Sequence, residues 1–241
     1  MESKELKFDF NYEVISDNIK IFDLTFKLII IGDSGVGKSC ITQQASKQIF
    51  EETYNSTIGF EYFVFNIKID DKIIKLQLWD TCGQEAYRSL ISSFYRNSSL
   101  AIMVYNITNK KSFENIDSWY KELKTCTNPD IKVFLIGNKI DLEDQREVST
   151  EEGEMFKENL QLDKFVECSA KTGFNAQNIF IEAAKLLYDD YKLHQKDKEQ
   201  KDYYSESAKG ETDTIDNASD KISCDANTLS RKTLTKKKKC C

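Results

Sequence analysis

The chain of 241 residues, 40% of them hydrophobic, is long enough to bury one sizeable core and to carry tails. A formal net charge of −6 argues against sequence-independent binding of nucleic acid by the folded part. The start, MESKELKFDF, lacks the apolar segment of a secretory signal, and the longest aliphatic run, 28–31, is far too short to span a membrane, so we expect a soluble fold.

Seven cysteines are present, and none of them forms a Cys-x-x-Cys pair. Without a secretory signal, this usage favours a reducing compartment. Cys40 and Cys168 lie in or beside apolar stretches and are expected to fill space in the core.

The chain is expected to divide into an N-terminal extension at 1–25, a domain at 26–193 and a tail at 194–241. The extension mixes charged and aromatic residues, and two interpretations stay open for it: a disordered arm or an extra edge element. The tail is polar and acidic. It cannot bury enough surface to offset its ordering entropy, so we expect a disordered linker.

Apolar runs of strand length recur through the domain, at 26–31, 62–69, 73–79, 100–107, 131–137 and 164–169. Asp70 and Asp71 predict a tight hairpin between the second and third runs, and helical stretches separate the others. This pattern predicts an α/β fold with a six-stranded, mostly parallel sheet and helices on both faces. Ligands bind beyond the carboxyl ends of the strands in such sheets.

One helical stretch, SFENIDSWYKELKTC, carries several aromatic residues. They fall at helical spacing, which favours packing on the sheet over a binding face. The apolar residues of this face are Phe113, Ile116, Trp119, Tyr120 and Leu123.

The first run leads into GDSGVGKS, residues 32–39, which match the phosphate-loop pattern G-x-x-x-x-G-K-[ST] between a strand and a helix. Glycines allow the backbone N–H groups to face one point, and the helix N-terminus adds its positive end. Lys38 is expected to reach the terminal phosphates, and the Ser39 hydroxyl to bind Mg²⁺. The fold is therefore expected to be a P-loop NTPase.

Residues suited to the metal and the reaction follow along the chain. Phe50 is placed to stack on a base, and Thr57 to give Mg²⁺ a second hydroxyl when the γ-phosphate is present. Asp80 ends a strand and is expected to hold Mg²⁺ through water, Gly83 to turn its N–H to the γ-phosphate, and Gln84 to orient an attacking water. A loop held only by Thr57 and Gly83 would order when a γ-phosphate is present and relax after its hydrolysis.

The base is predicted from Asn138, Lys139 and Asp141, which form N-K-x-D after the fifth run. A carboxylate accepts hydrogen bonds from the N1–H and 2-amino groups of guanine, which adenine lacks, and such a site rejects the analogue by about 10⁴–10⁵. NKID alone also suits a surface turn. CSAK, at 168–171, favours the base site, with the Ala170 N–H contacting guanine O6.

Five segments, in order and at matching spacing, resemble the signatures of the Ras-superfamily small GTPases and of their Rab branch: IGDSGVGKS, STIGFEY, KLQLWDTCGQEAYRS, GNKIDL and ECSAKTG. The resemblance covers about 26–193. It implies a six-stranded GTPase fold, a monomeric domain and a Mg²⁺-dependent switch between GTP and GDP. It also implies cycling through exchange factors, GTPase-activating proteins and a GDP-dissociation inhibitor or escort protein, with effectors reading the GTP form.

Together, the motifs and the resemblance define four groups of site residues, with Gln84 catalytic. The phosphate group is Asp33, Ser34, Gly35, Val36, Gly37, Lys38, Ser39, Cys40, Thr57 and Gly83. The guanine group is Phe50, Asn138, Lys139, Asp141, Ser169, Ala170 and Lys171. The metal group is Ser39, Thr57 and, through water, Asp80. The effector surface is Ile58, Gly59, Phe60, Tyr62, Trp79 and Phe94, of which Tyr62, Trp79 and Phe94 form the aromatic triad implied by the Rab resemblance.

Three departures from the Rab pattern stand out. Cys82 replaces the usual alanine beside the glycine that must turn, and we hypothesise a modest change in nucleotide cycling with GTP binding retained. Asn97 replaces a glycine and Asn106 the common aspartate, but neither touches an assigned nucleotide contact.

The tail ends in RKTLTKKKKCC, and Lys238 in fourth place from the end rules out a C-a-a-X box. The tandem cysteines resemble the Rab site for double geranylgeranylation at Cys240 and Cys241, and a free tail with idle thiols is the alternative. Two isoprenoids, helped by four lysines facing anionic lipid, suffice for stable anchoring. We expect a peripheral protein on the cytoplasmic face of an intracellular membrane, with a cytosolic pool.

The leading prediction is a prenylated Rab-like GTPase that regulates membrane traffic and hydrolyses GTP slowly, because no arginine finger is evident in its own chain. One alternative is a membrane-tethered scaffold that binds GTP with impaired hydrolysis. The other is a P-loop kinase that uses ATP, which would leave Asp141 without a purpose.

Overall fold

Within the part of the chain described by the computed structural model, residues 4–16, 19–51, 57, 59–83 and 94–210, the strands form one seven-stranded sheet. The spatial order is β1-β3-β4-β2-β5-β6-β7, antiparallel at the β1–β3 and β3–β4 pairs and parallel elsewhere. The α/β class and the mostly parallel sheet are thus confirmed. The strands are β1 (Tyr12–Ile15), β2 (Leu24–Ile31), β3 (Phe60–Ile69), β4 (Lys72–Thr81), β5 (Leu100–Asn106), β6 (Lys132–Asn138) and β7 (Lys164–Cys168).

The prediction of six strands is corrected to seven by β1, which comes from the N-terminal extension. β1 pairs antiparallel with β3, from Tyr12 opposite Ile69 to Ile15 opposite Asn66. Of the two interpretations left open for the extension, the edge element is therefore the correct one. The compact unit that contains the sheet is Met1–His194.

The helices are α1 (Lys38–Lys47), α2 (Lys110–Glu114), α3 (Ile116–Cys126), α4 (Thr150–Leu160) and α5 (Asn178–Gly210), with a 3₁₀ helix at Ile140–Gln145. The helix expected around 112–126 is split at Asn115, whose backbone stays helical while its side chain bonds Asp33. Asp70, with φ at 52°, makes the tight β3–β4 turn in the left-handed region that Asp tolerates.

The aliphatic run of β2 is buried on both faces of the sheet, which explains why it does not alternate with polar residues. Leu28 and Ile30 join the layer that contains α1 and α5, whereas Ile29 and Ile31 join the layer under α2 and α3. The phosphate-loop segment thus leaves a strand that is held from both sides.

The C-terminal helix corrects a second expectation, because α5 continues to Gly210 where disorder was expected from 194. Residues 195–210 are rich in Lys, Glu and Gln, which favour helix, and lengthening a formed helix avoids the cost of nucleation. Among the described helices, none has the length and apolar composition needed to cross a membrane.

Candidate functional site

A cavity of about 530 Å³ opens where β2, β4, β6 and β7 end, at the edge of the sheet where the sequence predicted a ligand. Loops distant in sequence meet there because parallel strands bring their carboxyl ends together. The lining residues are Ser34, Gly35, Gly37, Lys38, Ser39, Cys40, Gln43, Phe50, Glu51, Thr57, Glu61, Gly83, Asn138, Lys139, Asp141, Leu142, Ala170 and Lys171.

The glycine-rich turn is shaped by positive φ angles that disfavour other residues. Gly35 and Gly37 have φ of 78° and 97°. A Cβ on Gly37 would lie 2.3 Å from Asn138 Nδ2, and one on Gly83 would lie 2.3 Å from the Ser34 nitrogen. Gly83 therefore packs directly against the backbone of the glycine-rich turn.

Lys38 is held under the turn, where its Nζ donates to the carbonyl oxygens of Gly32 at 2.9 Å and Asp33 at 2.8 Å. The side chain is buried, and burial lowers the pKa of its ammonium, although the negative charge of Asp80 opposes this shift. A buried cation facing a cavity is well suited to an anionic ligand such as a phosphate.

Three oxygen-bearing side chains meet beside the phosphate loop. Ser39 donates to Asp80 and lies 2.9 Å, oxygen to oxygen, from Thr57. The second oxygen of Asp80, Oδ1, is buried and has no hydrogen-bond partner among the described residues. Burial, with Glu61 opposite on β3, raises the pKa of Asp80 to about 6 against the lowering effects of Ser39 and Lys38. Two hydroxyls and a carboxylate with an unpaired oxygen fit a hard divalent cation.

Asn138, which lines the cavity, joins three loops. Its Nδ2 donates to Val36 O at 2.8 Å, and its Oδ1 accepts from the Ala170 N–H at 3.1 Å and from the Cys168 thiol at 3.5 Å. The sequence predicted that the Ala170 N–H would contact the base. In the structure, this N–H instead donates to the Asn138 side chain.

Asp141 is oriented by Ser169, whose hydroxyl donates to Oδ1 of the carboxylate at 2.5 Å. The Thr172 N–H in turn donates to the Ser169 oxygen at 3.1 Å. Lys139 adopts a left-handed φ of 73°, which turns the chain between β6 and the 3₁₀ helix. The lining of the cavity therefore includes a hydrogen-bond acceptor, the Asp141 carboxylate, whose orientation is fixed by Ser169.

Most of the residues predicted to bind the phosphates, the base and the metal line this one cavity. The Asp33 carboxylate accepts hydrogen bonds from Asn115 Nδ2 at 2.6 Å and Trp119 Nε1 at 2.8 Å. Asp33, Val36, Asp80 and Ser169 are not among the lining residues. Gln84, Ile58, Cys240 and Cys241 lie outside the described residues.

Sequence reasoning missed four lining residues: Gln43, Glu51, Glu61 and Leu142. Gln43 follows Ser39 by four positions in α1 and so shares its helix face, a signal that could have found it. The other three had no chemical signature in the sequence.

The cysteines differ in their surroundings. Cys168 is fully buried, and burial raises the pKa of its thiol, as expected of a core residue. Cys40 packs against the core but is half-buried and also lines the cavity. Cys82 is buried, and its N–H donates to Gly59 O at 3.0 Å.

An aromatic patch is formed by Phe60 and Tyr62 of β3, Trp79 of β4 and Phe94, all of which belong to the effector surface predicted from the sequence. The rings of Tyr62 and Phe94 lie 5.5 Å and 5.6 Å from Trp79, and Phe60 lies 4.4 Å from Phe94. Phe60 and Tyr62 are each 44% exposed. Lys27 Nζ lies 5.0 Å from the centre of the Trp79 ring. Trp79 therefore packs in the hairpin and belongs to an accessible apolar surface.

Comparison with known proteins gives consistent matches. The model of the Ras family matches residues 27–189. The chain is similar to the Ras-related protein Rab-8A of Gallus gallus, with 43% identity over 166 residues, 69% of this chain and 80% of the relative. The rat Rab-8A gives 43% over 169 residues. The Ras-related protein Rab-8B of Bos taurus gives 39% over 204 residues, 85% of this chain and 96% of the relative.

Proposed function

Because the chain belongs to the Ras family and is a Rab-like small GTPase, which cycles between GTP and GDP and regulates vesicle traffic, we propose that the cavity is its guanine-nucleotide site. The observation that carries this assignment is the placement of Asp141 and Lys38 in the lining of one cavity. The Asp141 carboxylate can accept hydrogen bonds from a base, and the Lys38 ammonium can pair with phosphates.

In this proposal, the phosphates lie on the turn at 34–40, and the base lies at the other end of the cavity. The Asp141 carboxylate accepts hydrogen bonds from the N1–H and 2-amino groups of guanine. Lys139 lies along the plane of the base, and Phe50 stacks on the base. Asn138 ties the two ends together through its bonds to Val36 and Ala170. A contact from Ala170 to guanine O6 requires its N–H to be shared with Asn138.

We also propose that Ser39, Thr57 and Asp80 hold Mg²⁺, the last through water. The unpaired buried oxygen of Asp80 and the adjoining hydroxyls support this assignment. When bound, Mg²⁺ would neutralise negative charge on the β- and γ-phosphates.

Hydrolysis and switching rely on the residues around the γ-phosphate. Gln84 orients the attacking water in this proposal, and Gly83 offers its N–H from its position against the turn. Thr57 lies outside the helices and strands, 2.9 Å from Ser39 between hydroxyl oxygens, so loss of the γ-phosphate would remove one of the interactions that hold Thr57 at the proposed Mg²⁺ site. The GTP-bound and GDP-bound forms of the protein would then differ in conformation next to the aromatic patch.

Regulators and effectors act on this chain as on other Rab-like proteins. We propose that an exchange factor, a GTPase-activating protein and a GDP-dissociation inhibitor or escort protein drive the cycle. Effectors would bind the aromatic patch, whose exposed rings suit an apolar partner. Prenyl groups on Cys240 and Cys241 would hold the protein on the cytoplasmic face of an intracellular membrane.

The direct test is nucleotide uptake by the purified full-length protein. We expect bound guanine nucleotide after purification, exchange with added GTP when Mg²⁺ is chelated, and no displacement by ATP at a hundredfold excess. Slow turnover of bound GTP, accelerated by an activating protein, should follow. Displacement by ATP, or failure to take up any guanine nucleotide with Mg²⁺ present, would contradict the assignment.

A further inference from the structure

The N-terminal arm, which we define as residues 4–16, packs along the compact unit with one apolar face. Leu6, Phe8 and Phe10 pack against the core, and the rings of Phe8 and Phe10 lie 5.4 Å apart. Lys185 of α5 places its Nζ 5.4 Å from the centre of the Phe10 ring. The arm is therefore anchored before it enters β1.

The start of the arm is held by the amide of Asn175. Asn175 Oδ1 accepts from the Leu6 N–H at 2.9 Å, and its Nδ2 donates to Lys4 O at 2.9 Å. These two bonds imitate those that a neighbouring strand would make. Asn178 Nδ2 adds a third bond, to Leu6 O, at 3.3 Å.

The same amide closes the loop that follows β7. Asn175 Nδ2 also donates to Glu167 O at 2.9 Å, and the Ser169 N–H donates to Phe174 O at 3.0 Å. Asn175 is almost fully buried and has a left-handed φ of 56°. Because Ser169 orients Asp141, the arm reaches the base-binding residues through one chain of hydrogen bonds.

The far end of the arm is β1, which pairs with residues 66–69 of β3, the half of that strand next to the hairpin turn. The arm therefore connects the loop that follows β7 with the edge of the sheet. The described residues assigned to the nucleotide do not include any residue of the arm.

We propose that the arm is a positioning element for the guanine end of the site, with Asn175 as its anchoring residue, and that it slows release of bound nucleotide. This inference rests on the proposed nucleotide site. The arm restrains the loop at 169–175 and so keeps Ser169 on Asp141. The base is common to GTP and GDP, so the arm slows release of both by the same factor.

The test compares full-length protein with a variant lacking residues 1–7, which loses the bonds to Asn175 and Asn178 but keeps β1. We expect release of fluorescent GDP and fluorescent GTP to accelerate by one common factor, about threefold to tenfold. The single-turnover hydrolysis rate should stay unchanged. Deletion of residues 1–3, which precede the contacts, serves as the matched control and should release nucleotide like the full chain.

Asn178→Ala keeps the chain length and removes the third bond together with the 3.3 Å bond from Asn178 Nδ2 to Asn175 Oδ1, while the two bonds between Asn175 and the arm stay in place. We expect a smaller acceleration of release in the same direction. Unchanged release rates in both variants would overturn the inference while leaving the nucleotide site intact, even if the truncated protein unfolds more easily. Failure of the full-length protein to bind guanine nucleotide would overturn both the inference and the proposed function.

Discussion

In the proposed site, the choice of base would depend on one side chain, that of Asp141. Its carboxylate offers only acceptors and is oriented by Ser169. A purine with donors at the matching positions would pair with this carboxylate, and a purine without them would leave it with no partner in the base. Base specificity would then depend on two or three atoms.

Asp141→Asn replaces an acceptor oxygen with a donor amide. We expect GDP affinity to fall by about 10- to 100-fold, because a donor then faces a guanine donor, and xanthine nucleotides, which carry an oxygen in place of the 2-amino group, to gain affinity. Competition against a fluorescent nucleotide measures both. Asp144→Asn, on the same 3₁₀ helix and exposed, is the control. Unaltered GDP affinity in Asp141→Asn would contradict the base assignment.

Asp33 stabilises the fold under the phosphate loop through two hydrogen bonds to α3 and the residue before it. Asp33→Ala leaves the Trp119 Nε1 group and the Asn115 amide without this acceptor. We expect the free energy of unfolding to fall by about 2–3 kcal/mol. Urea denaturation measures this change, with the exposed Asp130→Ala as control. Equal stability of the two variants would refute the role given to Asp33.

Cys82 is buried in the core directly before Gly83 in the chain, and its N–H donates to Gly59 O. Cys82→Ala should retain GTP binding and change the exchange and hydrolysis constants modestly, because a smaller side chain loosens the packing beside a glycine that must turn. Stopped-flow exchange and single-turnover hydrolysis give these constants. If neither constant moves, the hypothesis for this position is wrong.

At the level of elements, local signals explain most boundaries. α4 begins with a full capping box, in which Ser149 accepts from the Glu152 N–H and the Glu152 side chain accepts from the Ser149 N–H. In the N-terminal arm, by contrast, the local signal was not recognised. Leu6, Phe8, Phe10, Tyr12 and Val14 alternate with polar residues, a strand signal present in the sequence that the mixture of charges obscured.

Ser149→Ala should reduce the free energy of unfolding by about 1 kcal/mol, since one N-terminal N–H group of α4 loses its partner. Chemical denaturation of the GDP-loaded protein measures the loss. Glu158→Ala lies exposed on the same helix and should change stability far less. A loss no larger than that of the control would show that the cap contributes little.

For the whole molecule, the compact unit and the membrane anchor are expected to act separately. The double variant Cys240→Ser/Cys241→Ser should become cytosolic while its nucleotide affinity stays unchanged, because both isoprenoid sites are lost and the cavity is untouched. Imaging of the tagged protein and nucleotide titration of the purified protein are the two measurements. Membrane association that persists in the variant would exclude these cysteines as the anchor.

The sequence by itself determined the α/β class, the six strands other than β1 and most of the residues that line the cavity, because glycine spacing, apolar periodicity and motif order are local patterns. Only the tertiary structure decided that the arm adds β1 to the sheet and reaches Asn175, that Asp33 turns away from the cavity, and that the Ala170 N–H is engaged by Asn138. These outcomes depend on which distant groups meet, and a hydrogen bond between residues far apart in the chain leaves no local trace in the order of the amino acids.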